Sequence, residues 1–265
     1  MGTGKSREGS PIDVIDLVAR LSDAGFVAAD EEAEELLHSS NGDTAVLESL
    51  LERRLRGEPL AWITGYTLFC GLRIRVDHGV YVPRWQSEPL ARRAALRLPA
   101  TGTAIDLCTG SGAIATYLHF VRPDARVVAS ELDDRAISCA TANGVEVYRG
   151  DLFDPIPMEL AGEVDVVVGV VPYVPSQSMS LLPRDTLVFE SALPYDGGDD
   201  GVNILRRVIR ESPRYLRPGG TLLLELGGPQ GDILKADLTG HGFSDVDVFS
   251  DSDGDVRGIQ AIAPT

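Results

Sequence analysis

From Thr103 onward the chain alternates short apolar runs with helix-length segments, the runs being Ala104–Leu107, Arg126–Ala129, Val145–Tyr148, Val164–Val168 and Thr221–Glu225. Parallel neighbours in a sheet need a crossover between them, and a helix is the usual one. The alternation therefore predicts an α/β fold, a mostly parallel sheet covered by helices on both faces. Ser244–Phe249 and Val256–Ala263 are joined by only a short loop, which predicts an antiparallel hairpin at the end of the chain.

The first third reads differently. Residues 1–10 are polar and are expected to be disordered. From Pro11, Ile12, Ile15, Val18, Ala19 and Leu21 recur at helical spacing. Further helices are expected from Asp30 to His38 and from Asp43 to Arg56, with Asn41-Gly42 as the turn between them. A small all-helical N-terminal domain over 11–65 follows. Alternation with Gly71 and Gly79 over Thr67–Val82 predicts a β-hairpin linker spanning 66–86. A helix over Ser87–Leu98 then leads into a larger domain, 87–265.

Bulk composition excludes several classes. With 24 basic and 40 acidic side chains the net charge is −16, which argues against nucleic acid as a partner, since phosphate contact needs a basic footprint. Arg53, Arg54 and Arg56, and Arg206, Arg207 and Arg210, form two local clusters that read as solvated helix faces. No apolar run reaches the roughly 18 residues of a membrane span, and no apolar signal-peptide core follows Met1, so a cytoplasmic location is expected and no membrane partner. Cys70, Cys108 and Cys139 are far apart and His38, His78, His119 and His241 are scattered; no zinc site or other metal is expected. Gly2-Thr3-Gly4-Lys5-Ser6 lacks the strand and spacing of a phosphate loop, and Met1-Gly2 with Ser6 is a weak acylation signal. Asp251-Ser252-Asp253-Gly254-Asp255 has its glycine misplaced for a calcium loop and reads as a hairpin turn.

Ala104-Ile105-Asp106-Leu107-Cys108-Thr109-Gly110-Ser111-Gly112 is a strand entering a glycine-rich turn ahead of a helix. Such a turn lets a ligand approach the backbone and the helix N-terminus. Gly110-x-Gly112-x-x-Ala115 also fits the dinucleotide fingerprint. Asp106 separates the two cofactors: a carboxylate beside the turn favours the ammonium of S-adenosylmethionine and repels the pyrophosphate of NAD. Glu131 ends the next strand and suits ribose hydroxyls. Asp151 follows the third strand and suits the adenine amino group. Thr109, Gly110, Ser111, Gly112, Leu132 and Leu152 complete the expected donor site.

Val170-Val171-Pro172-Tyr173 follows the fourth strand, where α/β sheets bind ligands. Together with Arg56–Gly65, Phe69-x-Gly71-Leu72, Gly79–Arg84, Asp106–Gly112, Gly150–Phe153, Phe189-Glu190-x-Ala192-Leu193, Gly197-Gly198-x-Asp200-Gly201, Leu216-x-Pro218-Gly219-Gly220, Glu225–Gly227, Gln230 and Asp255–Arg257, these residues resemble the protein-(glutamine-N5) methyltransferases that modify peptide-chain release factors. The resemblance implies a class I, Rossmann-like methyltransferase domain with a seven-stranded sheet, a helical domain that grips a protein substrate, and S-adenosylmethionine as cofactor. In that family an Asn-Pro-Pro-Tyr loop holds the glutamine amide. Here Val170 replaces the Asn and Val171 the first Pro. Cys108 replaces a usual Gly, Ser191 a usual Pro, and Trp85-Gln86-Ser87-Glu88 a usual Pro-Glu-Thr-Glu. Val170, Val171, Pro172 and Tyr173 are the expected acceptor loop, with Arg84, Trp85 and Glu190 in the acceptor pocket. A loop without the Asn leaves two further readings open: a small-molecule or more nucleophilic amine acceptor, and a non-catalytic binding protein.

Overall fold

The computed structural model describes residues 14–181 and 188–265. The polar N-terminus, Ile12 and the Gly2–Ser6 signals lie outside the described residues. The chain divides into two compact units, Met1–Gly65 and Tyr66–Thr265.

The first unit is helical: α1 Val14–Asp23, α2 Ala29–Ser40, α3 Thr44–Leu55 and the short α4 Leu60–Thr64. Asp43 starts α3 by accepting the Ala45 and Val46 N–H groups at 2.9 and 3.1 Å, filling two of the helix's four orphan donors. Leu17, Leu21, Ala33, Leu36, Leu47, Leu51 and Ile63 form its core. The apolar face of α1 differs from the expected one: Ile15 is 75% exposed and Leu17 is fully buried. Two offset stripes were available at helical spacing, and packing against α2 selected the one through Leu17 and Leu21. Arg53 and Arg54 are also not a solvated face. Arg54 makes a two-pronged pair with Glu32 at 2.6 and 2.9 Å, and Arg53 pairs with Glu58.

The second unit opens with the hairpin β1 Tyr66–Phe69 and β2 Leu72–Arg75. Its turn residues, Cys70 and Gly71, have φ of +51° and +80°, both left-handed, which matches the twist of a two-residue hairpin. The hairpin is shorter than expected, and it is no free linker. Phe69 and Ile74 belong to one of the unit's main cores.

The main sheet has seven strands: β3 Thr103–Leu107, β4 Arg126–Glu131, β5 Glu146–Arg149, β6 Val164–Gly169, β7 Leu216–Glu225, β8 Ser244–Ser250 and β9 Val256–Ile262. Their order is β5-β4-β3-β6-β7-β9-β8. The first five run parallel, while β9 is antiparallel to β7 and β8 closes the terminal hairpin. β6 is buried throughout; Val166 and Val168 join one core, Val164 and Val167 the other. A strand feeding two cores is a central strand, covered on both sides. α5 Glu88–Arg97 and α6 Ala113–Val121 cover one face. α8 Asn203–Glu211 and α9 Gln230–Gly240 cover the other, and α7 Asp134–Ala142 links β4 to β5. No helix among the described residues is long and apolar enough to cross a membrane.

Candidate functional site

From β3 the chain winds outward through β4 to β5, then returns to place β6 on the other side of β3. Ligands of open α/β sheets bind at such a reversal, beyond the carboxyl ends of the strands. Leu107 lies opposite Gly169 across it, so the glycine turn after β3 and the Val170 loop after β6 are neighbours. Two cavities open there. The larger, about 160 Å³, is lined by residues that include Gly110, Glu131, Leu132, Asp151, Leu152, Val170, Pro172 and Glu190. The smaller, about 40 Å³, is lined by residues that include Asp106, Thr109, Gly110 and Ser111. Tyr81, Cys108, Gly110 and Val170 line both.

Gly110, at φ +58°, is the pivot. A Cβ built on it meets no protein atom within 4 Å, so its missing side chain leaves open space at the mouth of both cavities. Gly112 serves packing instead, since a Cβ there would meet Val145 at 2.8 Å. Gly112 is absent from both walls and heads α6 as its cap. Ser130 is 1% exposed, lines the larger cavity and has no hydrogen-bond partner for its hydroxyl among the described residues. A buried polar atom facing a cavity is suited to meet a ligand, because leaving it unpaired is costly.

The three strand-end acids are held in three ways. Glu131 accepts the Gly110 N–H at 2.9 Å on one oxygen, and those of Leu132 and Asp133 at 2.7 and 3.0 Å on the other. Asp106 is 2% exposed and accepts from the Thr109 hydroxyl at 2.6 Å and the Ala115 N–H at 3.2 Å. Burial pushes its carboxyl up to about 7, against the pull of those two bonds. It lines the smaller cavity and not the larger. Asp151 is held by Arg207 of α8, Nη2 to Oδ2 at 2.7 Å. The Arg206–Arg210 cluster is therefore not a plain solvated face either; Arg206 bridges Asp200 and Asp237.

The acceptor loop divides its side chains. Val170 and Pro172 line the larger cavity, while Val171 is 1% exposed and belongs to the core. Tyr173 is outside both cavity walls. Its hydroxyl donates to Glu225 at 3.0 Å, its carbonyl accepts from Gln230 at 2.8 Å, and burial pushes its phenol up. It braces the loop from behind. Glu190, 5% exposed, does line the cavity, yet both its oxygens accept from Arg84 at 3.0 and 3.1 Å and one also from the Tyr195 hydroxyl. Arg84 thus anchors Glu190 from outside the wall. Trp85 is 59% exposed, absent from both walls, and lies under the Arg257 guanidinium at 5.1 Å. Trp85, expected in the acceptor pocket, is thus not among the residues lining either of these two cavities.

Sequence reasoning gave no role to Val80, Tyr81, Ser130, Leu193, Pro194 or Ile204, which all line the larger cavity. The resemblance covered Val80, Tyr81 and Leu193 without assigning them a role, and burial pushes the Tyr81 phenol up to about 12. Cys108 is the residue that stands where the resemblance leads one to expect Gly. It stands in both walls at φ +54°, and burial pushes its thiol up, which disfavours the thiolate.

A scan against models of protein families finds no match. Relatives are nevertheless clear. A release factor glutamine methyltransferase of Geobacter sulfurreducens is 33% identical over 218 residues, 80% of this chain and 76% of that one. One from Cereibacter sphaeroides is 33% identical over 272 residues, covering 93% and 96%. A 4-amino-L-phenylalanine/4-methylamino-L-phenylalanine methyltransferase of Streptomyces pristinaespiralis is 37% identical over 191 residues, covering 68% and 65%. Among solved structures, a methyltransferase from Pyrococcus furiosus superposes with a TM-score of 0.54 at 19% identity, over 82% of this chain and 100% of that one, a likeness of fold.

Proposed function

The chain belongs to the release factor glutamine methyltransferase family, whose members are S-adenosylmethionine-dependent enzymes, and from that premise we propose that it methylates a side-chain amide nitrogen of a protein, the glutamine of a peptide-chain release factor. The observation that carries this reading is the sharing of one cavity by the Gly110 turn and the Val170–Pro172 loop.

S-adenosylmethionine, when bound, supplies an electrophilic methyl group on a sulfonium. The residues present suit it: an open cradle at Gly110, an unpartnered Ser130 hydroxyl, and acids at the ends of successive strands. In this proposal Glu131 takes the ribose hydroxyls. A carboxylate offers about four acceptor sites, and backbone N–H groups fill three here. Binding both hydroxyls then exchanges one of those bonds. Asp151 takes the adenine amino group, while Leu132 and Leu152 flank the base. Asp106, through the smaller cavity, favours the ammonium end, and Thr109 and Ser111 line that end with it.

An amide nitrogen is a weak nucleophile, so positioning is most of the catalysis. Backbone carbonyls of 169–172 are the acceptors left for the amide hydrogens, because Val170 offers none. Losing one oriented polar group typically costs on the order of 10²–10³ in rate. Glu190 stays with Arg84 and Tyr195 and fixes the wall opposite.

A second acceptor is compatible with the same cavity. Val170 lines the larger cavity together with Val80, Tyr81, Leu193, Pro194 and Ile204. An amine on an aromatic body gains from such a wall and needs no amide clamp. The Streptomyces pristinaespiralis relative is named for such a substrate.

Methyl-labelled donor, offered with a release factor and separately with 4-amino-L-phenylalanine, tests both. Label on the release factor glutamine, rising in Val170→Asn, supports the first reading. Label on the arylamine alone, falling in Val170→Asn, overturns it in favour of the second.

A further inference from the structure

Asp151 differs from the other two acids of the donor site in what holds it. Glu131 is pinned by backbone N–H groups, and Asp106 by its own turn and helix. Asp151 is held by a guanidinium from α8, 56 residues away in the chain, at 2.7 Å to one of its two oxygens. α8 is also part of the wall: Ile204, three residues before Arg207 and so on the same helix face, lines the larger cavity with Asp151. The chain enters α8 from Asp196–Val202, and that segment is tied to the acceptor loop. Val174 pairs with Asp196, and the Gly197 N–H donates to the Val174 carbonyl at 2.8 Å.

We propose that Arg207 is a positioning residue for donor recognition: by holding Oδ2 of Asp151 it presents Oδ1 to the cavity as a fixed acceptor, and so sets the preference for a 6-amino purine. The proposal rests on the assignment of Asp151 to the adenine amino group. An amino group donates to that oxygen. A 6-oxo group, as in hypoxanthine, presents an acceptor to an acceptor and is rejected, since leaving or opposing a committed polar group is where selectivity arises. Both side chains are substantially exposed, 34% for Arg207 and 40% for Asp151, where ion pairs add little stability. Orientation, not stability, is what such a pair can supply. Without Arg207 the carboxylate rotates and hydrates freely, and its preference weakens.

The experiment measures calorimetric affinities of the full chain for S-adenosylhomocysteine and S-inosylhomocysteine, in wild type, Arg207→Gln, Arg207→Lys and Asp151→Ala. Gln is compatible with a half-exposed helix position, and Lys keeps the charge. The expected result is a loss of about tenfold in adenosyl affinity for Arg207→Gln, with inosyl affinity unchanged, so that the ratio collapses. Arg207→Lys should recover part of the ratio. A merely structural role for Arg207 would weaken both ligands equally and keep the ratio, which overturns the proposal. If Asp151→Ala collapses the ratio and neither Arg207 variant does, Asp151 reads the base without Arg207, and the proposal falls alone. If Asp151→Ala keeps the ratio, the assignment of Asp151 fails and the proposal falls with it.

Discussion

Cys108 sits one residue past β3 at φ +54°, where a Cβ costs about 1–2 kcal/mol and glycine costs nothing. That is the physical reason a glycine is usual there in the family this chain resembles. A branched Cβ would be worse, so Cys108→Val should lower stability by about 1–3 kcal/mol. The measure is the urea midpoint at constant slope, and an unmoved midpoint would refute the strain. Asp106 carries a different tension. Its carboxyl rises from 3.8 in the free residue to about 7, chiefly through burial. The folded state therefore holds a proton that the unfolded state has lost between about pH 4 and 7, and this contribution to stability fades as pH rises through that window. Asp106→Asn keeps an acceptor for Thr109 and carries no charge. Its stability relative to wild type should climb from about pH 4 to 7 and level off above; a flat difference in melting temperature would mean that Asp106 is not raised. The sequence showed that Asp106 stands near the turn. It did not show which cavity the side chain faces, because that depends on Thr109 and Ala115 closing over it.

At the scale of elements, the loop after β6 is held from behind and lined in front. Tyr173 reaches β7 through Glu225, and Gln230 at the head of α9 takes its carbonyl and caps Gly227. Glu225 is 4% exposed, and burial raises its carboxyl. Tyr173→Phe removes a donor from this buried acid and should cost about 1–3 kcal/mol in denaturant titration. Donor affinity should stay within about twofold, because the ring lies outside both cavity walls; a large loss there would mean that Tyr173 touches the donor. Most strand and helix positions were legible from alternation to within a residue or two, but β7 starts at Leu216, ahead of the expected Thr221, and the hairpin ends at Arg75, short of the expected Val82. The division of Val170–Tyr173 into wall, core and brace was not. A loop has no periodicity to announce its inward side, so the neighbours across the sheet decide it.

For the molecule as a whole, every described residue of both cavity walls belongs to Tyr66–Thr265. A chain trimmed to that unit should bind S-adenosylhomocysteine as the full chain does, within about twofold by calorimetry. A much weaker complex would assign donor binding to the helical unit as well. If the acceptor is a release factor, methylation of that protein should fall while donor affinity holds. The sequence by itself determined the parallel sheet, the terminal hairpin and the turn after β3, because periodicity and glycine placement are local and survive in one dimension. It also carried the family likeness, which many short matches in one order supported better than any one of them. Only the tertiary structure decided that Arg207 meets Asp151, that Arg84 and Tyr195 close on Glu190, that Leu17 rather than Ile15 is inside, and that Trp85 is outside the pocket. Each of those is a contact between segments far apart in the chain. A residue type states what it can pair with, and only the folded backbone brings the partner within reach.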